Sequence, residues 1–207
     1  MKNKRFNIAL IPNKELFEYA IKISNNLSKL GKYLFILDGK NYFPHITVYS
    51  PEFPKRNLNK IIKNVEKVSK NFKPFQIKFT ECKFIDDYAG IDVQSSKQIY
   101  SLHEKIIDCL NSLREGVLRD KYKNKDVLIN FTKKQINNIE KYGYPDVKEL
   151  YIPHLSLIRF GKDIPSVLEK KFRWDIQSSV VDKIGIFEMG DYGTCIRLVK
   201  EFELGNR

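Results

Sequence analysis

Three histidines occur among the 207 residues, and two of them share a local frame: Pro44-His45-Ile46-Thr47 and Pro153-His154-Leu155-Ser156, 109 positions apart. Both frames lie in runs, "PHITVYS" and "YIPHLSLIRF", that read as β-strands. Side chains alternate along a strand, so His45 and Thr47 point one way, as do His154 and Ser156. Each strand then presents one imidazole together with one hydroxyl. Two such pairs suit the cleavage of a phosphodiester. A neutral imidazole takes the proton of an attacking hydroxyl, a protonated one across the phosphate gives a proton to the leaving oxygen, and histidine reaches both states near neutral pH. The Thr47 and Ser156 hydroxyls can donate hydrogen bonds to the non-bridging oxygens as charge builds on them. The scheme needs no metal or cofactor, and the sequence has no carboxylate cluster with metal-ligand spacing. A lone histidine in a strand is more often a satisfied structural group than a catalyst. Repetition of the whole frame reverses that reading.

Other residues near the frames carry weaker signals. Tyr49 continues the His45, Thr47 alternation, so it is either a groove residue on which a base can stack or a core tyrosine. Alternation puts Arg159 on the face opposite His154, which favours a surface role over a phosphate contact unless the strand bends. His103 sits beside the apolar stripe of a helix and reads as a packing residue, which makes it a control for the other two. Arg119, Lys121, Lys123 and Lys125 interleave with Tyr122 just ahead of the second frame, followed by Lys133 and Lys134. Such a run is a solvated face or a lid over a polyanion. Tyr192, in a closing turn, has the same two readings.

The elements that must position these groups follow from periodicity. "RFNIALIP" is a first strand over 5–12. Asn13 then caps a helix carrying Leu16, Ala20, Ile23, Leu27 and Leu30, with Gly31 placed to end it. Strands over 33–37 and 44–50 follow. A second amphipathic helix over 55–72 has a basic outer face. "FQIKFTECKF" and "AGIDVQ" are strands joined by an Asp86-Asp87 turn, and a third helix spans 97–115 up to Gly116. Residues 117–149 are lysine-rich with weak periodicity and read as an insertion, although Thr132 and Gln135 form a capping box for a short helix that Gly143 can close. After the second histidine strand come a short helix in "DIPSVLEKKF" and a hairpin around Gly190-Asp191-Tyr192-Gly193. Each half has a helix flanked by strands and one histidine frame, an imperfect internal repeat. Antiparallel strands with helices on one face predict an α+β fold of two similar lobes.

Composition sets outer bounds. A 42% hydrophobic chain of this length can bury one sizeable core. Lys and Arg number 37 against 25 Asp and Glu, a formal charge of +12 that favours an anionic partner. Lysine together with asparagine is also what an AT-rich genome supplies. Cys82, Cys109 and Cys195 are odd in number and widely spaced, which indicates neither a disulfide framework nor a zinc site and fits a reducing cytoplasm. The basic N-terminus has only a short apolar stretch, broken by Pro12 and Asn13, so neither a secretory leader nor a membrane span is expected.

Pro-His45-Ile-Thr47-Val and Pro-His154-Leu-Ser156-Leu resemble the duplicated histidine motifs of the 2H phosphoesterase superfamily, which includes RNA 2′,3′-cyclic phosphodiesterases and the proteins called 2′-5′ RNA ligases. The resemblance extends over most of the chain and leaves out 117–149. It implies a bilobal, pseudo-twofold fold in which two antiparallel sheets line a central groove with helices outside, and both His-x-Thr/Ser pairs face each other across it. It also implies metal-independent hydrolysis or transfer at a phosphodiester beside a ribose hydroxyl, with a nucleotide or RNA as substrate; a monomer is expected. Degradation of cyclic nucleotide immune messengers, of the kind viruses carry out, is a variant of that activity. RNA ligation, or RNA binding without turnover, are the alternatives. A pure binder needs the charge but not an intact acid-base pair.

Overall fold

The first strand, β1 (Asn3–Ile11), shows why the sheet has two unlike faces. Phe6, Ile8 and Leu10 are buried along one face, whereas Arg5, Asn7 and Ala9 share the other. The computed structural model describes residues 2–85, 87–162, 168 and 172–205. After β1 the chain forms α1 (Lys14–Ser28), β2 (Tyr33–Ile36), β3 (Ile46–Tyr49), β4 (Glu52–Pro54) and α2 (Leu58–Ser69). Then come β5 (Phe75–Ile85), β6 (Tyr88–Val93), α3 (Lys97–Leu110), α4 (Lys125–Leu128) and α5 (Lys133–Tyr142). The last strands are β7 (His154–Phe160), β8 (Ser178–Val181), β9 (Lys183–Met189) and β10 (Cys195–Glu203).

Strands pair in the order β10-β9-β1-β3-β7-β6-β5-β8, with β4 added to β1 and β2 to β7. All of these pairings are antiparallel. The two histidine strands, β3 and β7, are thus the central neighbours, and an antiparallel half extends outward from each. Helices cover the outer side crosswise. The first-half helix α1 packs on β7 and β2, α3 packs on β3, and α2 packs on α3, β9 and β10. A shared apolar core that includes Leu16, Ile46, Ile61, Ile106, Leu155 and Leu157 lies between sheet and helices. Full burial contributes roughly 1.5–3 kcal/mol per large apolar side chain.

Local signals account for many boundaries. The Asn13 side chain accepts from the Leu16 N–H at 3.0 Å and starts α1. Thr132 and Gln135 form the expected capping box on α5, which Gly143 ends in the left-handed conformation at φ 73°. Gly31 does not cap α1, which stops at Ser28. The expected hairpin around 190–193 forms, with β9 paired to β10, but its first arm divides at Asp182: β9 also pairs with β1, whereas β8 crosses to the other half and pairs with β5. Both partners of that crossing are distant in sequence, so local pattern holds no sign of it. The helix expected over 163–172 lies outside the described residues save for Leu168 and Phe172, and so does Asp86 of the β5–β6 turn.

Segment 117–149 is tied down by hydrogen bonds. Arg114, almost fully buried, donates to the Lys141 and Val117 carbonyls at 3.1 and 2.9 Å. Asn138 donates to the carbonyls of Pro145 and Val147. Among the described residues no helix is long and apolar enough to cross a membrane.

Candidate active site

The two central strands meet at a single antiparallel pair, Ile46 with Leu155. Both of these side chains are buried. Carried one residue either way, that register sets His45 alongside Ser156 and Thr47 alongside His154. Each imidazole therefore lies across from the hydroxyl of the other frame, and all four side chains share the face opposite Ile46 and Leu155.

Both imidazoles are oriented in the same way. Nδ1–H of His45 donates to the Phe43 carbonyl at 2.8 Å, and Nδ1–H of His154 donates to the Ile152 carbonyl at 3.0 Å. In each case the acceptor lies two residues back, and the bond leaves Nε2 as the nitrogen available for proton exchange. The hydroxyls are matched too. Asn7 Nδ2 donates to Thr47 Oγ1 at 2.8 Å, and the Tyr88 hydroxyl donates to Ser156 Oγ at 3.2 Å. A hydroxyl that accepts from its own fold has its proton to offer to a ligand. Burial raises the Tyr88 phenol and keeps it a donor.

Both donors reach over a small residue. Ala9 pairs with Thr47 and Gly90 pairs with Ser156, and Asn7 and Tyr88 stand two residues before them. A Cβ on Gly90 would overlap the Tyr88 hydroxyl and come 2.8 Å from the Leu155 carbonyl.

A bulge follows each frame. Along β1, Ile8 pairs with Tyr49 but Ala9 with Thr47, so Val48 is the extra residue of β3. Along β6, Ala89 pairs with Ile158 but Gly90 with Ser156, which makes Leu157 the extra residue of β7. A bulge strands a carbonyl, and an unsatisfied buried carbonyl costs roughly 1–3 kcal/mol. Here a helix side chain meets each one. His103 of α3 donates from Nδ1 to the Val48 carbonyl at 2.6 Å, and Ser24 of α1 donates to the Leu157 carbonyl at 2.6 Å. His103 also accepts from the Lys148 N–H at 2.9 Å and stacks on Tyr151 at 3.8 Å. Both of its nitrogens are thus engaged in a fully buried site, and burial pushes its pKa down to about 4.

The bulges correct two sequence expectations. Paired residues share a face, and Ile8 and Ala9 point opposite ways, so Tyr49 lies on the face opposite Thr47 rather than in the groove. It is fully buried and donates to the Tyr142 carbonyl at 2.6 Å, anchoring the end of α5. Arg159 moves in the opposite sense. It pairs with Tyr88, whose hydroxyl reaches Ser156, and so it returns to the groove face. Its Nε donates to Asp87 at 2.8 Å and its guanidinium lies 5.2 Å over the Tyr192 ring.

Arg5, Arg119, Lys121, Tyr122, Arg159 and Tyr192 all line one cavity of about 350 Å³. Tyr122 is almost fully buried, and Arg119 and Lys121 lie over its ring at 5.5 and 5.0 Å. It therefore serves the cavity by holding the cations. Sequence reasoning missed Asn7, Tyr88 and Arg5. A polar residue within the apolar run "RFNIALIP" is the signal that would have found Asn7.

The halves differ in electrostatics. His45 is 5% exposed, next to Phe187, and burial together with the nearby His154 lowers its pKa to about 4 against the pull of the Phe43 carbonyl. His154 is more open and packs edge-on against Tyr88. Asp92, ion-paired with Lys83, stands directly across from His154 on β6, where the first half continues with Ile11.

Duplicated frames, crossed register and enclosing halves define a two-histidine phosphoesterase scaffold. The family model of the 2′-5′ RNA ligase superfamily matches residues 39–191, a span that holds both frames, and the chain belongs to that superfamily of 2H phosphoesterases. Solved structures share the fold at low identity. TT0787 of Thermus thermophilus is 11% identical with a TM-score of 0.62, covering 97% of this chain and 98% of its own. LigT of E. coli complexed with 3′-AMP is 12% identical with a TM-score of 0.60, covering 99% of this chain and all of its own. LigT complexed with NADP+ is 11% identical with a TM-score of 0.56 and the same coverage. No curated protein sequence matches this chain.

Proposed function

We propose that the protein is a metal-independent phosphodiesterase that cuts a bond to a ribose 2′ oxygen in a nucleotide or RNA, as a 2′,3′-cyclic phosphate, a 2′-5′ linkage or a cyclic oligonucleotide. The observation that carries this reading is the crossed pairing of Ile46 with Leu155, which sets each imidazole beside the other frame's hydroxyl. The nucleotides bound in the LigT structures support a substrate of the same class.

His45 is the base in this reading and His154 the acid. Burial holds His45 neutral at neutral pH, the state that can take a proton. Its Nε2 removes the proton of a water or sugar hydroxyl, whose oxygen bonds to phosphorus. The bond from phosphorus to the leaving oxygen breaks, and His154 Nε2 delivers a proton to that oxygen. Thr47 and Ser156 donate to the non-bridging oxygens, where a preorganised donor is worth most as charge develops.

The test is mass-resolved turnover in chelator on RNA ending in 2′,3′-cyclic phosphate, 2′-5′ and 3′-5′ oligoadenylates, and cyclic di- and trinucleotides. The expected result is turnover of at least one 2′-linked or cyclic member that disappears in His45→Ala and His154→Ala. Absence of turnover across the panel, with RNA binding retained by both variants, would replace this reading with a binding module.

A further inference from the structure

Beside the histidine face lies the cavity lined by Arg5, Arg119, Lys121 and Arg159, whose other charged walls are Asp146 and Asp191. Asp87 pairs with Arg159 and Glu52 acts on Arg5 and Arg119, but among the described residues Arg5, Arg119 and Lys121 form no direct ion pair. Among the described residues, Arg5 Nε is buried without a hydrogen-bond partner. Burial and the neighbouring Arg119 work against the charge on Arg5, with Tyr144, Tyr122 and Glu52 opposing. Lys121 is pushed down to about 8 by burial, Arg119 and Arg5, with Asp146 opposing. A cluster of cations that repel one another in a half-enclosed space is stabilised by an anion of two or more oxygens, and guanidinium forks suit phosphate.

Position joins this cavity to the reacting groups. Arg5 precedes Asn7 by one side-chain repeat on the groove face of β1, about 7 Å at the usual strand rise. Arg159 is carried to the same face by the Leu157 bulge. Over the cavity stands Tyr192, a non-glycine residue at φ 58° and 49% exposed, with Arg159 beneath its ring. A left-handed, exposed aromatic is a costly conformation that marks contact surfaces, and its ring offers a base a face to stack on.

We propose that this cavity is a second phosphate subsite, so that the preferred substrate carries a phosphate besides the one that is cut, one nucleotide away along the same chain. The inference rests on the proposed phosphodiesterase site for its reference point. It selects dinucleotides and longer or cyclic oligonucleotides over mononucleoside cyclic phosphates. Residues from β1, β7, segment 117–149 and the β9–β10 turn all contribute, and so the subsite exists only in the folded whole.

Binding, rather than turnover, tests it. Calorimetry at low salt would compare 2′-5′-linked diadenosine monophosphate with the same compound carrying one added phosphate, at the 5′ end or at the opposite end. The proteins are wild type, Arg119→Gln and the Arg119→Glu/Lys121→Glu double variant, with inorganic phosphate as a separate probe. Wild type is expected to gain at least tenfold from the added phosphate at one end, Arg119→Gln to lose part of the gain and the double variant nearly all of it. The salt slope for the phosphorylated ligand should steepen with the added contacts. A gain at neither end, an equal loss of affinity for both ligands in the double variant, or tight inorganic phosphate with no gain for the linked compound would each overturn the subsite. A retained gain alongside absent turnover would instead count against the catalytic reading alone.

Discussion

The β3 and β7 halves have the same backbone plan and different surroundings. Each has the frame, the imidazole bonded to the carbonyl two residues back, the bulge one residue past the hydroxyl, and a buried helix side chain on the bulge carbonyl. What differs is the company each keeps. The first half encloses His45 and holds its hydroxyl with an amide, whereas the second opens His154 to the groove and holds its hydroxyl with a phenol. Shared geometry leaves the Nε2 of both imidazoles free for a ligand, and unequal burial sets the two apart.

The largest expected effect tests the shared part. His45→Ala and His154→Ala should each lower kcat/KM by about 10²–10⁴-fold, the usual contribution of a general acid or base. Steady-state kinetics on the substrate found in the panel would check this, and a variant that kept more than a tenth of the activity would show that only one half supplies a catalytic histidine.

The next effect concerns stability. His45 and His103 titrate near 4 in the folded protein against 6.5 in the unfolded chain, so the unfolded state binds more protons between those values. Folding free energy should therefore be complete above pH 6.5 and decline as pH falls toward 4, by up to about 3 kcal/mol for each histidine. Urea titrations across that range would measure it. His103→Gln, which can still donate to Val48 and accept from Lys148, should remove roughly half of the decline, whereas an unchanged pH profile would mean that His103 is not held neutral.

Smaller effects separate the hydroxyl supports. Gly90→Ala should cost about 1–3 kcal/mol of stability, because the new methyl meets backbone as well as the Tyr88 hydroxyl. Thermal denaturation would read this, and a Tm equal to wild type would place Tyr88 elsewhere. Tyr88→Phe and Asn7→Ala each remove one hydrogen bond to a hydroxyl on the histidine face, worth about 0.5–1.5 kcal/mol. Each should cost several-fold in kcat with folding intact. A loss confined to one of them would show that the two hydroxyls contribute unequally.

Much of this was legible in the chain itself. The two frames are local patterns, as are the Asn13 cap, the Thr132–Gln135 box and the helical stripes, because a cap or a stripe needs only neighbours a few residues away. The two frames carry the family's mark in the sequence alone. The same alternation argument misplaced Tyr49 and undervalued Arg159, since it assumes a regular strand and the bulges at Val48 and Leu157 reset the faces. A bulge is defined by its partner strand, and that partner is far away in sequence.

The sequence by itself therefore singled out two imidazoles and two hydroxyls as candidate groups and the kind of bond they would suit. Only the tertiary structure decided that the frames cross at Ile46 and Leu155 and that Asn7 and Tyr88 orient the hydroxyls. It also decided that His45 is enclosed while His154 is open, and that Arg5 and Arg159 join Arg119 and Lys121 around one cavity. Residue type sets intrinsic chemistry. Burial, register and the approach of distant charges exist only once strands from both ends of the chain pair.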